Sequence, residues 1–493
     1  MAWNRKHWLA LIFILTLTIR LIVAFSTPNF TYDSYFHLRQ VEHITETGTP
    51  LFEDDLSYGG RELRFLPLFH YVMAFFDLFL PLTIVAKIIP NILIASLTLI
   101  TYLITRRITK NDTAPLMSAF IAGFIPILFT PNAFTTDTLF LPLLFATIYA
   151  FMNLTREKFV YAYIGLFLAT SVTSSSTFLL LIGFGIYLLL SKIENKRIKK
   201  EEAEVILFSL FFFVWLQFIF FKDVFLTQGS QFIWQNIPSQ LLTQYFPQAT
   251  IVTAIVSVSI IPFIAGIIVV YQSLFELKNT KAFLLISFVI ATTILTWLTV
   301  IPFAFSLAFF SLVLAILFGM FYENVFNYIK KTKFTNKGTL LPILTVILLT
   351  LSMAIPVLST AYSQEMPTQE EVDAFTWIDT SISANTTVVA TLEEGHLVTF
   401  LSKKKNVMDT KFNLIPDTGK KLRDLNVLYT TAFQTQALEI LHSHNAEYIV
   451  FTPQAKERFK KDQLPYLSPE CFEPVYNKNV KIYKVKCIVR ELE

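Results

Sequence analysis

The sequence predicts a polytopic α-helical membrane protein with a small α/β domain at its C-terminal end. Hydrophobic residues make up 54% of the 493 residues, only 15% are charged, and 50 are Phe. The mean hydropathy of +0.55 is typical of proteins with many membrane-spanning segments and excludes a soluble globular class. From Tyr362 onward, charged residues return and the long apolar runs end. The chain therefore divides into a membrane part, residues 1–360, and a soluble domain, residues 361–493.

Apolar windows of roughly 20 residues predict about eleven transmembrane helices, within a range of roughly 10 to 13. The windows are residues 7–25, 84–105, 113–130, 138–153, 158–174, 177–192, 204–222, 250–271, 281–299, 302–321 and 339–360. Lys and Arg concentrate in alternate loops, which the positive-inside rule assigns to the cytoplasm. We therefore expect a multi-pass protein of the cell membrane with a cytoplasmic N-terminus and an external C-terminal domain. The long external loops are then residues 26–83 and 223–249.

Within residues 361–493, strand-like and helix-like patterns alternate, which indicates a small α/β domain. The last of these patterns, at residues 472–485, reads as a β-hairpin around Asn477-Lys478-Asn479. Cys471 and Cys487, the only cysteines of the chain, flank this hairpin. A disulfide between them is geometrically reasonable because the ends of a hairpin lie close together. Two separate thiols are the alternative.

Three ionisable residues lie close together just beyond the first apolar run, and they are Asp33, His37 and Arg39. A carboxylate is a hard oxygen ligand for Mg²⁺ or Mn²⁺, and a guanidinium binds phosphate through two parallel hydrogen bonds. His37 could donate to the phosphate or act as a second metal ligand, and Arg20 lies near the same depth. The group predicts a site for a cation and a lipid phosphate. Taken singly, Asp33 could cap the next helix and Arg20 could reach the membrane interface.

A second candidate carboxylate is Asp137, the one acid between Ala114 and Met152. It follows the third predicted span and faces the same side of the membrane as Asp33. Isolated ionisable residues at such positions indicate function, although a helix cap is the simpler alternative. We expect Asp33 and Asp137 to approach each other and share one cation.

A third candidate site follows a predicted strand of the C-terminal domain. Its residues are Glu393, Glu394, Gly395 and His396. Carboxylates on a strand-to-helix turn are well positioned to contact an acceptor molecule.

In their order along the chain, these motifs resemble the catalytic subunit of oligosaccharyltransferase, a family that includes archaeal AglB and bacterial PglB. Asp-Ser-Tyr-Phe-His-Leu-Arg at 33–39 resembles the first acidic motif, and Thr-Thr-Asp at 135–137 occupies the place of the second. Residues 377–409 resemble the start of the family's external domain. The resemblance implies the GT-C membrane fold. It also implies a glycosyltransferase that moves a glycan from a dolichyl (polyprenyl) phosphate or diphosphate to an external acceptor, expected to be protein asparagine.

The resemblance also implies roles for the candidate residues. Asp33 and Asp137 would be catalytic and would hold Mg²⁺ or Mn²⁺, while Arg39, His37 and Arg20 would bind the donor phosphate. The segment from Glu393 to His396 would contact the acceptor. The expected partners are the lipid-linked donor, an external protein acceptor and membrane lipids, with no nucleic acid.

This chain departs from the family pattern at several motifs. Thr135 replaces one acid of the second motif, and Thr391-Leu392-Glu393-Glu394-Gly395 stands where the family has Trp-Trp-Asp-Tyr-Gly. Two alternatives therefore stay open. The first is an enzyme of the same fold that uses a polyprenyl-monophosphate sugar and acts on protein or lipid. The second is a non-catalytic lipid transporter or scaffold.

Overall fold

The computed structural model describes residues 5–245, 250–276, 282–331 and 337–487. The helices of the membrane part are Arg5–Ser26, Ser34–Thr47, Leu68–Asp77, Leu82–Ile108, Ala114–Gly123, Asp137–Phe151, Glu157–Thr173, Phe178–Ile193, Lys200–Gln228, Leu242–Tyr245, Ile251–Val258, Ile260–Tyr271, Phe283–Trp297, Phe303–Lys330 and Lys337–Tyr362. In the described ranges, six helices are long and apolar enough to cross a membrane, and five shorter apolar helices accompany them. The chain is a multi-pass membrane protein, as its composition predicts.

Two predicted spans differ from the structure for local reasons. The window at 113–130 is helical only over Ala114–Gly123, and a short 3₁₀ turn follows at Pro126–Leu128. Proline has no backbone N–H to continue an α-helix, so the chain changes conformation there. The window at 250–271 forms two helices, separated at Ser259, whose φ of 75° is not helical. Both predicted spans are therefore interrupted.

The centre of the bundle is the helix Phe303–Lys330, most of whose apolar stretch is buried. It packs against Leu82–Ile108, Ala114–Gly123, Ile260–Tyr271 and Phe283–Trp297. Aromatic side chains such as Phe309 are completely buried in this core. An apolar helix buried on nearly all sides is expected at the middle of a membrane bundle.

The C-terminal domain is built on a five-stranded mixed sheet. From one edge to the other, its strands are Lys405–Asn406, Thr387–Val389, Ala446–Phe451, Lys481–Val485 and Phe472–Asn477. The first three strands are parallel to one another, and each of the last two is antiparallel to the strand before it in this order. Its helices are Gln369–Ser381, Gly395–Phe400, Thr418–Thr430, Gln434–Ser443 and Pro453–Phe459. The structure has the predicted α/β alternation, and a disulfide joins Cys471 to Cys487.

The C-terminal domain and the loop 26–83 share one hydrophobic core. Tyr35 and Leu38 from the loop helix Ser34–Thr47 belong to the same buried cluster as Phe375 and Leu397 from the domain. Hydrogen bonds also join the two parts. The Asn406 amide N–H donates to the Leu56 carbonyl over 2.9 Å, and the Tyr58 N–H donates to Asn406 Oδ1 over 2.7 Å. The domain is thus fixed against one end of the bundle.

Candidate functional site

Asp33 immediately precedes the helix Ser34–Thr47, but its side chain makes no capping hydrogen bond to that helix. Instead, the Thr410 hydroxyl donates a hydrogen bond to Asp33 Oδ1 over 2.6 Å, and the Lys411 ammonium lies 3.2 Å from Asp33 Oδ2. Both partners belong to the C-terminal domain. The Asp33 side chain remains 49% exposed. The carboxylate is therefore held in place and is still accessible to a ligand.

The charges around Asp33 keep its carboxyl group ionised. Burial alone would raise the pKa of Asp33, but the Lys411 ammonium, His396 and the Thr410 hydroxyl together hold that pKa below its usual value. A nearby positive charge and a hydrogen bond to the ionised form both favour the carboxylate. The site therefore presents a negative and a positive charge side by side.

The segment that leads to Asp137 lies against the segment that contains Asp33. The Thr31 N–H donates to the Asn132 carbonyl over 3.3 Å, and the Phe134 N–H donates to Ser34 Oγ over 2.9 Å. Asp137 is the first residue of the helix Asp137–Phe151 and is partly exposed. Within the described part of the chain, its carboxylate accepts no hydrogen bond. The structure thus brings the two acid-bearing segments together, while the shared cation stays a prediction.

His37 is buried and pairs with a second histidine. Its Nδ1 lies 2.9 Å from Nε2 of His70, and the two rings are stacked with centroids 5.1 Å apart. Burial, and then the neighbouring His70 and Lys411, lower the pKa of His37 well below its usual value. His37 is therefore neutral at physiological pH. Its predicted contact with a donor phosphate is not tested by this arrangement.

The two predicted phosphate-binding arginines have protein partners. Arg39 donates to both carboxylate oxygens of Asp54, over 2.9 and 2.7 Å. Arg20 is buried inside the bundle, where it donates to Asn91 Oδ1 over 2.9 Å and to the Leu128 carbonyl over 2.8 Å. The Arg20 side chain is therefore paired with protein groups. Phosphate binding by either arginine stays a prediction.

The predicted acceptor-binding acids also have internal partners. Glu393 forms an ion pair with Arg458. Glu394 is fully buried and accepts hydrogen bonds from the Thr391 amide over 3.0 Å and from the Thr391 hydroxyl over 2.8 Å. Burial, followed by the charge of Glu371, raises the pKa of Glu394 to about 7. Both acids support the turn that carries His396, and acceptor contact stays a prediction.

Gly395 and His396 connect this turn to Asp33. A Cβ atom on Gly395 would lie 2.1 Å from the Met408 carbonyl oxygen, so only glycine allows this close backbone approach. The neighbouring His396 is buried, and its Nε2 lies 2.8 Å from the Thr410 hydroxyl and 3.8 Å from Asp33 Oδ1. The turn therefore positions a histidine beside the candidate carboxylate.

The site includes residues that the sequence analysis did not select. Asp409 is fully buried, and its Oδ1 lies 3.3 Å from Nη2 of Arg61 and accepts from the Lys411 amide over 2.9 Å. The Tyr58 hydroxyl donates to the Asp409 carbonyl over 2.6 Å. A usable signal was that residues 409–411 follow the parallel strand Lys405–Asn406. Ligand sites of α/β sheets form at the carboxyl ends of parallel strands.

The loop 223–249 packs against the segment that follows Lys411. Nδ2 of Asn236 donates to the Phe412 carbonyl over 3.0 Å and to the Ile415 carbonyl over 2.8 Å. The Tyr245 ring also contacts the Phe412 ring, with centroids 6.1 Å apart. Residues 246–249 lie outside the described residues. The loop therefore supports the segment that supplies Thr410 and Lys411.

The side chains around Asp33 form no cluster of three metal-ligating groups in the described part of the chain. In residues 5–245, 250–276, 282–331 and 337–487, no three His, Cys, Asp or Glu side chains form a group that could hold a metal ion. One oxygen of Asp33 accepts from Thr410, and the other lies against the Lys411 ammonium. The predicted Mg²⁺ or Mn²⁺ is not tested by this arrangement and stays a prediction.

The sequence of this chain is similar to a protein family and to an archaeal enzyme. Residues 66–218 match the family of dolichyl-phosphate-mannose-protein mannosyltransferases. This region contains Asp137 but not Asp33. A 101-residue stretch is 37% identical to dolichyl-phosphooligosaccharide-protein glycotransferase 2 of Archaeoglobus fulgidus. That stretch covers 20% of this chain and 17% of the relative, so most of the relative's length is not matched.

The solved structures that resemble this chain decide the fold. The oligosaccharyltransferase of Archaeoglobus fulgidus in its apo form superposes with a TM-score of 0.69 and 13% identity, over 94% of this chain and 73% of that one. The chain has the GT-C fold and resembles the oligosaccharyltransferases. A second structure shows the oligosaccharyltransferase AglB of the same organism in complex with an inhibitory peptide and a dolichol-phosphate. It superposes on this oligosaccharyltransferase-like chain with a TM-score of 0.64 and 13% identity, over 91% of this chain and 70% of that one.

ArnT from Cupriavidus metallidurans superposes with a TM-score of 0.59 and 12% identity, over 96% of the oligosaccharyltransferase-like chain and 97% of ArnT. The chain is thus close to the full length of ArnT and shorter than the archaeal enzyme. At these identities, the solved structures establish the fold and leave the chemistry to the residues of the site.

Proposed function

We propose that this protein is a glycosyltransferase that moves a glycan from a dolichyl or polyprenyl phosphate or diphosphate to an acceptor. One observation carries the proposal. The half-exposed Asp33 carboxylate sits at the end of the membrane bundle, against Lys411 of the C-terminal domain. An ionised carboxylate beside an ammonium at this boundary suits a substrate with a membrane-bound phosphate and a polar sugar.

The named relatives support the same substrate class. The matching family description and the name of the archaeal relative both specify dolichyl-linked donors. A superposed AglB structure contains a dolichol-phosphate. We infer a donor of this class because a bundle with this fold exposes apolar helix faces to lipid and gathers polar groups at one end.

The proposed reaction is a single displacement at the anomeric carbon of the sugar. The bond between that carbon and the phosphate oxygen breaks, and its electron pair leaves with the phosphate. The nucleophilic atom of the acceptor forms the new bond and gives its proton to a carboxylate of the site. Asp33 and Asp137 are the carboxylates proposed for this catalytic role, and positive charge near the leaving phosphate would stabilise the transition state.

A protein asparagine is the acceptor that we propose. The turn from Glu393 to His396 is the proposed contact region, with the partly exposed Glu393 as its accessible residue because Glu394 and His396 are buried. A structure of the archaeal oligosaccharyltransferase tethered to a peptide with an NVT sequon supports this choice. We also propose that the site faces the exterior and that the N-terminus is cytoplasmic, because the basic loops alternate along the chain as the positive-inside rule requires.

A monophosphate donor is the second candidate. The family match names dolichyl-phosphate-mannose, and ArnT, which superposes over nearly its full length, has also been solved with undecaprenyl phosphate. The family description names a single phosphate between lipid and sugar, and the ArnT structure contains a lipid with a single phosphate. A transporter or scaffold has no comparable observation in its favour.

The test compares Asp33→Asn with Asp55→Asn in purified full-length protein. Asp55 is an exposed acid of the same loop and serves as the matched control. Each protein is incubated with radiolabelled lipid-linked sugar, as a monophosphate or a diphosphate, and with an Asn-containing peptide. We expect transfer by the parent and by Asp55→Asn, and a loss of about 100-fold in Asp33→Asn. Equal transfer by all three proteins would exclude a catalytic Asp33.

The same assay separates the candidate functions. Transfer only from the monophosphate would favour the second candidate. Absence of transfer from every donor, with the protein folded, would favour a transporter or scaffold.

A further inference from the structure

Lys411 is a cation of the site. Its ammonium contacts the Asp33 carboxylate, and its side chain remains partly exposed to solvent. Its ammonium lies 3.2 Å from Asp33 Oδ2 and 5.1 Å from the centre of the Phe36 ring. The Lys411 side chain is 29% exposed. Surface ion pairs of this kind contribute little to stability, so the contact is not explained by a need to hold the fold together.

The backbone of Lys411 is fixed much more firmly than its side chain. The Lys411 amide donates to the buried carboxylate of Asp409, and the guanidinium of Arg61 donates to the Lys411 carbonyl. Asn236 holds the next residues through the Phe412 carbonyl. These contacts therefore fix the position of the Lys411 backbone at the end of the bundle.

The arginines around the site already have protein partners. Arg39 pairs with Asp54, Arg61 with Asp409, and Arg458 with Glu393. Arg20 is enclosed within the bundle. The neighbouring His37 is neutral because burial lowers its pKa. Lys411 thus supplies the accessible positive charge beside Asp33 in the part of the chain that the structure describes.

We propose that Lys411 binds the phosphate of the lipid-linked donor. An ammonium carries three N–H donors, so one can stay on Asp33 while the others reach phosphate oxygens. A phosphate beside the Asp33 carboxylate would otherwise meet a negative charge, because the nearby arginines already pair with carboxylates. The inference rests on the proposed donor class, and it assigns a donor-binding contact to the C-terminal domain.

This assignment also offers a source of positive charge at the reacting phosphate. As the bond to the sugar breaks, negative charge grows on the leaving phosphate oxygen, and an ammonium at hydrogen-bond distance stabilises it. No proton transfer from Lys411 is required, because the phosphate leaves as an anion.

The test measures binding of dolichyl phosphate to the purified full-length protein and to three variants. Lys411→Met removes the charge, Lys411→Arg keeps it, and Lys461→Met removes an exposed lysine elsewhere in the same domain. We expect Lys411→Met to weaken binding by about tenfold to a hundredfold. Lys411→Arg should retain most of the affinity, and Lys461→Met should equal the parent. EDTA should leave the parent's binding unchanged.

Two further ligands identify what is bound. Dolichol, which has no phosphate, should bind Lys411→Met and the parent equally, and inorganic phosphate should compete weakly with dolichyl phosphate. Affinity for dolichyl phosphate within twofold of the parent in Lys411→Met would overturn the inference. An equal loss for dolichol, or a thermal midpoint well below the parent's in both Lys411 variants, would also overturn it in favour of a structural role.

The outcomes keep the inference separate from the proposed function. Lys411-dependent binding of dolichyl phosphate without sugar transfer would leave the inference in force and reject the transferase. Asp33-dependent transfer with binding that survives Lys411→Met and disappears in EDTA would retain the transferase and reject Lys411 as the phosphate ligand.

Discussion

Among the ion pairs that connect the loop 26–83 to the C-terminal domain, two neighbouring ones differ in exposure. In the pair Arg61–Asp409, the side chains are 2% and 0% exposed. In the pair Lys411–Asp33, they are 29% and 49% exposed. The two pairs lie next to each other, since Asp409 and Lys411 are separated by one residue. We conclude that one pair is closed to ligands and the other is open.

The difference in exposure implies a difference in role. Removal of one member of a buried pair leaves an uncompensated charge in a medium of low polarity, which is strongly destabilising. An open pair is screened by water and contributes little. The closed pair should therefore hold the domain against the loop, and the open pair should act on substrate.

The largest effect that separates the two pairs is expected for Arg61→Met. This change leaves the buried Asp409 without its guanidinium and should cost about 3–5 kcal/mol of the free energy of unfolding of the C-terminal domain. Urea unfolding followed by hydrogen exchange of the strand amides measures this cost. Arg64→Met, which removes a partly exposed guanidinium three residues away, is the control and should cost less than about 1 kcal/mol. Equal costs for the two variants would refute the distinction between closed and open pairs.

The next effect concerns the close contact that positions both pairs. A methyl group in Gly395→Ala would meet the Met408 carbonyl at 2.1 Å and would push residues 408–411 away from the loop. We expect a destabilisation of about 3 kcal/mol from this overpacking. Gly419→Ala is the matched control, because the nearest atom to its added methyl is 3.7 Å away.

Gly419 lies in the helix Thr418–Thr430, where alanine is preferred over glycine, so its substitution should be neutral or slightly stabilising. Thermal unfolding of the two glycine variants side by side provides the measurement. A stable Gly395→Ala protein would mean that the 408–411 segment adjusts without cost.

The membrane part shows what the sequence could predict. Helix lengths and loop charges depend on residues that are close in the chain, so the windows and the α/β order of the domain follow from composition and pattern. Asp33 can be selected as a candidate from the sequence, because an acid at a membrane boundary stands out locally. The interruptions at Pro126 and Ser259 were missed because apolar content alone does not report backbone dihedrals.

The partners of Asp33 could not be predicted in the same way. Thr410 and Lys411 are 377 and 378 residues away, and neither belongs to a distinctive local motif. Their contact depends on how the C-terminal domain docks. The pairing of Arg39 with Asp54 could not be predicted either, because it depends on how the loop folds back on itself. In that loop, Glu53–Asp54 and Arg61–Glu62 form a small antiparallel ladder.

Glu394 sharpens the comparison, because it is a buried carboxyl without a cation. Burial alone would raise the pKa of Asp409, but the Arg61 and His396 charges hold it below its usual value. At Glu394, burial and the charge of Glu371 raise the pKa to about 7. One oxygen of Glu394, Oε1, has no hydrogen-bond partner in the described part of the chain. The folded domain therefore favours the protonated form of Glu394 more than the unfolded chain does.

The smallest expected effect follows from this difference in pKa. Because the folded-state pKa of Glu394 lies above its unfolded value, its contribution to stability is complete below about pH 4.5 and is lost as pH rises through about 7. Relative to Glu394→Gln, the parent should lose about 2 kcal/mol between pH 5 and pH 7. Urea unfolding at the two pH values measures the difference, with Glu447→Gln, an exposed glutamate, as the control. If the parent and Glu394→Gln change in parallel with pH, Glu394 is ionised in the folded domain, and burial without a cation is not what distinguishes it from Asp409.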